Sequence, residues 1–190
     1  MNEWLVLFKN VDTKPFLECT KFMEHNEVDI KDRSTKGENS IQFNFVGQEA
    51  SAYSPDSAMS KLSNLFIKYI KKINEINHNI KVTDVTGAWQ VEGGKGSYHR
   101  LHNHTLNRKE SLHSDGLSCV LYLDVPDDED RGEFYFLIRK DNVTKSNSIQ
   151  PDKGDLIIMP KSVYHGVYPQ TSDGLRRTLN IDFNIYEQNN

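Results

Sequence analysis

The sequence predicts a mainly β protein with flanking helices, and three observations lead there. One long amphipathic helix stands early in the chain. A series of short apolar runs, punctuated by Gly, Pro, Asp and Asn, follows it. Those runs are rich in β-branched and aromatic residues, which favour strands. Helix first and strands later is the order of a helix packed on the outside of a β-sandwich or barrel. At 190 residues the chain reads as one domain, 1–190, large enough to bury a real core. Residues 1–80 are expected to form an N-terminal support of helices and strands, and residues 81–190 a β-barrel.

The helix is expected from about Pro55 to Ile76. Ser54 can cap it, Pro55 suits its first turn, and Asp56 sits well near the positive end of its dipole. Ala58, Leu62, Leu65, Phe66, Tyr69, Ile70, Ile73 and Ile76 recur at spacings of three and four, which makes one buried stripe. Lys68, Lys71 and Lys72 lie mainly on the other side. Strands are expected at Ala88–Val91, Leu117–Val125, Glu133–Ile138, Asp155–Met159 and Thr178–Ile185. Lys31–Ser40, with Gly37, reads as a surface loop, and polar Lys140–Lys153 as a long loop.

Composition narrows the function classes. A hydrophobic fraction of 36%, with 9 Phe and 8 Tyr, argues for a globular protein and against disorder. The net charge of −4 and the pI near 6.0 give no overall basic field for nucleic acid or an anionic membrane. A local basic group, Arg100, Arg108 and Lys109, reads as a solvated loop. The two cysteines, Cys19 and Cys119, match no metal or redox spacing, and Cys119 lies in an apolar run as a buried thiol. The N-terminus lacks the layout of a signal peptide, and no apolar run reaches membrane length. The expected location is cytoplasmic, in the host cytoplasm if the protein is viral.

Chemistry gathers at the histidines. Four of the seven fall within fifteen residues: His99, His102, His104 and His113. Alternate residues of a strand face one side, so His102 and His104 can present both imidazoles to one ion. Imidazole suits iron, zinc, copper and nickel. By the same parity His99 belongs to the opposite or outward face, and His113 to a loop.

The surroundings of this pair form an ordered set. Ala88-Trp89-Gln90-Val91, the turn Gly93-Gly94-Lys95-Gly96 and Tyr98 come before it. Leu117 to Leu123 and Gly132-Glu133-Phe134-Tyr135-Phe136 come after it. Then follow Pro151, Gly154-Asp155-Leu156-Ile157-Ile158-Met159-Pro160, His165-Gly166-Val167-Tyr168-Pro169, Arg176-Arg177-Thr178 and a final strand ending Asp182-Phe183-Asn184. In this order the chain resembles the 2-oxoglutarate- and iron(II)-dependent oxygenases, in particular the small prolyl-4-hydroxylase-like members of phages and bacteria. The resemblance covers roughly Asp84 to Tyr186, with Met159-Pro160 standing where Phe-Pro is usual.

The resemblance implies a double-stranded β-helix, the jelly-roll or cupin-like barrel, with Fe(II) and 2-oxoglutarate as cofactors. It implies molecular oxygen and an unidentified substrate, hydroxylated at a C–H bond, as the partners. His102 and His165 would be two metal ligands. The family's usual middle ligand is a carboxylate two residues after the first histidine, and here that place is His104. His113-Ser114-Asp115 is a rival His-x-Asp, which keeps Asp115 as the alternative to His104. For the far carboxylate of 2-oxoglutarate the resemblance points to Arg176, eleven residues after His165, with Arg177 in reserve. Arg supplies the planar, bidentate fork that a carboxylate needs. Tyr98, Tyr122 and Tyr135 are read as barrel packing that could also offer a hydroxyl. Two other readings stay open: a three-histidine cupin-like dioxygenase without 2-oxoglutarate, and a non-catalytic barrel of phage origin used for binding.

Overall fold

The computed structural model describes residues 4–28, 40–45, 57–75, 80–105, 116–127 and 130–187. Eleven strands and two helices are assigned among them. They run β1 (Val6–Phe8), α1 (Lys14–Thr20), β2 (His25–Val28), β3 (Ser40–Phe45), α2 (Ala58–Asn74), β4 (Ile80–Gly93) and β5 (His99–His102). Then come β6 (Gly116–Asp124), β7 (Phe134–Lys140), β8 (Val143–Ile149), β9 (Leu156–Pro160), β10 (His165–Val167) and β11 (Arg176–Glu187). A seven-stranded sheet has the order β1-β9-β6-β11-β4-β3-β2, and a four-stranded sheet the order β5-β10-β7-β8. Every pairing is antiparallel.

The central strands β6 and β9 of the large sheet are buried on both faces, which explains why they read as nearly continuous apolar runs. On β6, Leu117, Cys119, Leu121 and Leu123 join Leu156 and Ile158 of β9 and Leu179, Ile181 and Phe183 of β11 in one core with the helices. Helix α2 contributes Leu62, Phe66, Ile70 and Ile73, all but excluded from solvent. Each such side chain stabilises the fold by about 1.5–3 kcal/mol relative to exposure. The alternate residues Val120, Tyr122, Ile157 and Met159 face a second core shared with Phe134, Phe136 and Val163 near the small sheet. The two sheets therefore enclose an interior of their own, and the functional groups lie there.

Three expectations change. Helix α2 begins at Ala58, and Ser57 caps it by accepting from the Ser60 backbone N–H at 3.1 Å. Ser54, Pro55, Asp56 and Ile76 lie outside the described residues, as do residues 31–39 of the expected first loop, whereas Ser40 already belongs to β3. The expected long loop Lys140–Lys153 contains strand β8, paired with β7 from Phe134↔Ile149 to Lys140↔Val143. Its residues are exposed because β8 is the last strand of its sheet, so it needs no apolar face. Asp141 and Asn142, at φ 51° and 61°, form the two-residue turn, a conformation that suits a tight hairpin.

Candidate metal centre

Strand β5 enters the interior beside β10, with His102 opposite His165 and His99 opposite Val167. Three steps along β5 thus match two along β10, so β5 carries one extra residue. A bulge of this kind breaks the two-residue alternation and turns His99 to the same side as His102. His99 lines the cavity, against the sequence expectation that it faces outward. His104 follows where the backbone leaves the strand, anchored by its N–H to the Lys161 carbonyl at 2.9 Å.

His102, His104 and His165 converge, with one ligand atom of each within 4.8 Å of the others. Every Nδ1 is engaged elsewhere. That of His102 meets the Arg100 carbonyl at 2.7 Å, and that of His165 the Val163 carbonyl at 3.0 Å. That of His104 meets both carboxylate oxygens of Asp182, at 3.0 and 2.9 Å, with Ser118 Oγ at 3.1 Å. Carbonyls and carboxylates only accept, so each neutral ring carries its proton on Nδ1 and offers the lone pair of Nε2. The Nε2 atoms of His102 and His104 stand 3.3 Å apart. Two lone pairs at that distance repel unless a shared proton or a metal ion lies between them. A small divalent ion such as zinc binds imidazole nitrogen at about 2.0–2.1 Å, which sets neighbouring ligand atoms roughly 3 Å apart. The donor set fits a divalent transition metal.

Electrostatics keeps His102 and His165 ready to ligate. Burial, with His104 beside it, pushes His102 down to about 4. Burial and the neighbouring His104 and His102 hold fully enclosed His165 well below the ordinary histidine value. His99 is pushed down to about 3 by burial and then by the Arg176 charge. Neutral imidazole is the form that binds metal.

The cavity wall also includes Trp89, Tyr122, Phe134, Arg176, Thr178 and Asn180. Arg176 is 4% exposed and donates to the Arg131 carbonyl at 3.1 Å and to Ser97 Oγ at 3.3 Å. Among the described residues no carboxylate lies within ion-pair distance of it. Room for its guanidinium depends on Gly132, at φ +78°, where a Cβ would come within 2.2 Å of Nη1. Tyr122 is fully buried, and its hydroxyl has no hydrogen-bond partner among the described residues. Burial raises its pKa, so it remains a donor. Asn180 donates to Thr178 Oγ1 at 3.1 Å and fixes that hydroxyl beside Arg176 along β11.

Other sequence candidates fall elsewhere. Arg177 points to the opposite face of β11, where Nε meets Asp124 at 2.9 Å and Nη1 lies 4.0 Å from Glu92. Tyr98 is not part of the cavity wall, and Tyr135 stacks on Tyr168 with ring centroids 4.4 Å apart. His113 and Asp115 lie outside the described residues. Asp182 and Ser118 carried no signal in the sequence; the β6–β11 register alone sets them opposite one another beside His104.

Residues 88–184 match the family model of the 2OG-Fe(II) oxygenase superfamily. No curated protein matches the chain in sequence. Solved structures share its fold. A prolyl-4-hydroxylase from Pseudomonas putida is 16% identical over 96% of this chain and 92% of its own, with a TM-score of 0.58. HygX from Streptomyces hygroscopicus, solved with nickel and 2-oxoglutarate bound, is 12% identical over 96% and 83%, with a TM-score of 0.62. A Trichoplax adhaerens prolyl hydroxylase, solved with a peptide fragment of the hypoxia inducible factor oxygen degradation domain, is 15% identical over 95% and 83%, at 0.62. The two facing sheets are those of a double-stranded β-helix.

Proposed function

Because the chain belongs to the 2OG-Fe(II) oxygenase superfamily, we propose that His102, His104 and His165 hold its iron(II) and that Arg176 takes the far carboxylate of 2-oxoglutarate. The protein is a 2-oxoglutarate-dependent dioxygenase acting on an unidentified substrate. The observation that carries the assignment is Arg176: a buried guanidinium that has no carboxylate partner among the described residues, in the wall of the cavity where three imidazoles converge. A buried cation costs several kcal/mol unless it is paired, and an anionic ligand is the partner that resolves this. Tyr122 adds a second donor to the same anion, because its buried hydroxyl has no other partner among the described residues.

The chain's own residues then divide the work. His102 and His165, their Nδ1 protons tied to backbone carbonyls, present Nε2 in fixed orientation. Arg176, held from behind by Ser97 and the Arg131 carbonyl, would hold the far carboxylate of 2-oxoglutarate. Phe134, Val120 and Trp89 line the rest and exclude water. Iron, when bound, supplies the activation of oxygen and the oxidation of the substrate C–H bond, coupled to decarboxylation of 2-oxoglutarate.

The two rival readings are not favoured. A dioxygenase without 2-oxoglutarate leaves Arg176 and Tyr122 without an anion, and a metal-free barrel leaves three converging imidazoles without an ion. We place the protein in a reducing cytoplasm, consistent with its two free cysteines. Among the described residues no helix is long and apolar enough to cross a membrane. Calorimetry on nickel-loaded protein, which binds without turnover, tests the cofactor assignment. Wild type should bind 2-oxoglutarate and Arg176→Ala only weakly; equal binding by both would remove Arg176 from the site.

A further inference from the structure

The three proposed ligands are imidazoles, which bind a metal in their neutral form, whereas the facial site that leaves iron(II) open positions is ordinarily two histidines and a carboxylate. One negative charge is missing from the ligand set. Strand β11 has a carboxylate directly behind it. Asp182 is 8% exposed, and its two oxygens bracket the His104 Nδ1 at 3.0 and 2.9 Å. Ser118, its cross-strand partner, closes the arrangement with Oγ at 3.1 Å from the same nitrogen. Among the described residues the Asp182 carboxylate has no other ion-pair partner. The ammonium of Lys161, buried on the same side, donates to Thr86 Oγ1 at 2.6 Å and Asn184 Oδ1 at 3.5 Å and feels the Asp182 charge only from beyond ion-pair distance.

We propose that Asp182 is a positioning residue that returns the missing negative charge to the metal centre through the His104 ring. A carboxylate cannot donate, so it fixes the Nδ1 proton and leaves Nε2 to the metal. Its charge also draws that proton towards itself and makes the imidazole a stronger, more anionic donor. Three imidazoles and Asp182 together carry the same net charge as two imidazoles and one ligating carboxylate. The inference rests on the reading of His104 as a ligand.

Cobalt(II) binding to the full chain, followed by visible absorption, separates these levels. Asn at position 182 keeps the shape and can still accept from Nδ1, so Asp182→Asn removes the charge alone. That substitution should weaken cobalt binding about 10–100-fold when residue 104 is His. In a His104→Asp background, where the ligand brings its own charge, it should cause no loss, or a gain. With iron(II) and 2-oxoglutarate, the charge-transfer band of Asp182→Asn should move to shorter wavelength, because a less electron-rich iron releases its electron less easily. Unchanged cobalt affinity, or an equal loss or an equal folding defect in both backgrounds, overturns the proposal and leaves Asp182 a packing residue. His104→Ala with wild-type cobalt affinity would sink the ligand reading itself. A large loss there beside an unaffected Asp182→Asn would sink the role of Asp182 alone.

Discussion

On one side of strand β11, Leu179, Ile181 and Phe183 are completely buried against the helix side of the large sheet. On the other, Arg176, Asn180 and Asp182 are buried almost as deeply, yet all are polar or charged. The same backbone serves both, with side chains alternating between them. The apolar face gains from every area it removes from water, so its design is volume and shape. The polar face loses unless each group finds a partner. Asn180 and Asp182 find theirs within the protein, and Arg176 and Tyr122 keep donors aimed at a cavity. Stability is stored on one face, and the proposed binding groups stand on the other.

The comparison is broken most severely at Arg176. Truncating one partner of a buried hydrogen-bonded charge pair costs about 2–5 kcal/mol, so Arg176→Ala should raise the dissociation constant for 2-oxoglutarate roughly 30-fold to several thousand-fold. The metal-free protein should melt no lower than wild type, since an unpaired buried cation has gone. On the other face Phe183→Ala should cost about 3–5 kcal/mol of stability through the cavity it leaves. Its 2-oxoglutarate affinity, measured below the melting transition, should stay near wild type.

Tyr122→Phe sharpens the contrast because its two effects have opposite signs. Loss of a hydroxyl bonded to a carboxylate should weaken 2-oxoglutarate by about 1.5–3 kcal/mol, while the metal-free protein gains slightly from losing an unsatisfied buried group. Thermal melts with and without cofactor read both. A pH series on metal-free protein isolates the histidines. Their folded values lie below the unfolded one, so the unfolded chain binds more protons in acid. Stability should be complete above about pH 6.5 and fall as pH drops towards the His102 value of about 4. Smallest of all, Arg177→Ala should change stability by no more than about 1 kcal/mol, because its pair with Asp124 is partly exposed, and leave 2-oxoglutarate binding unaltered.

How much of this was legible in the sequence follows the same division. Strands β6, β9 and β11 are apolar on both faces and stood out as runs. Strand β4 is longer than its visible part, Ala88–Val91, because its first half alternates with polar residues. Strand β8 has no apolar face and left no signal. The converging histidines were legible as a pattern, yet the parity rule misplaced His99, because a bulge in β5 cannot be counted from residue types. Asp182 lies 78 residues beyond His104 and was invisible for another reason: only the sheet register brings the two together. Tyr122 read as packing, and its unpaired hydroxyl emerged only from its three-dimensional surroundings.

The most direct test of the central claim is an anaerobic iron(II) titration with and without 2-oxoglutarate, followed in the visible range. A weak charge-transfer band should develop only when both components are present, and His165→Ala should abolish it. Iron uptake without that band, or no iron uptake at all, would contradict the account.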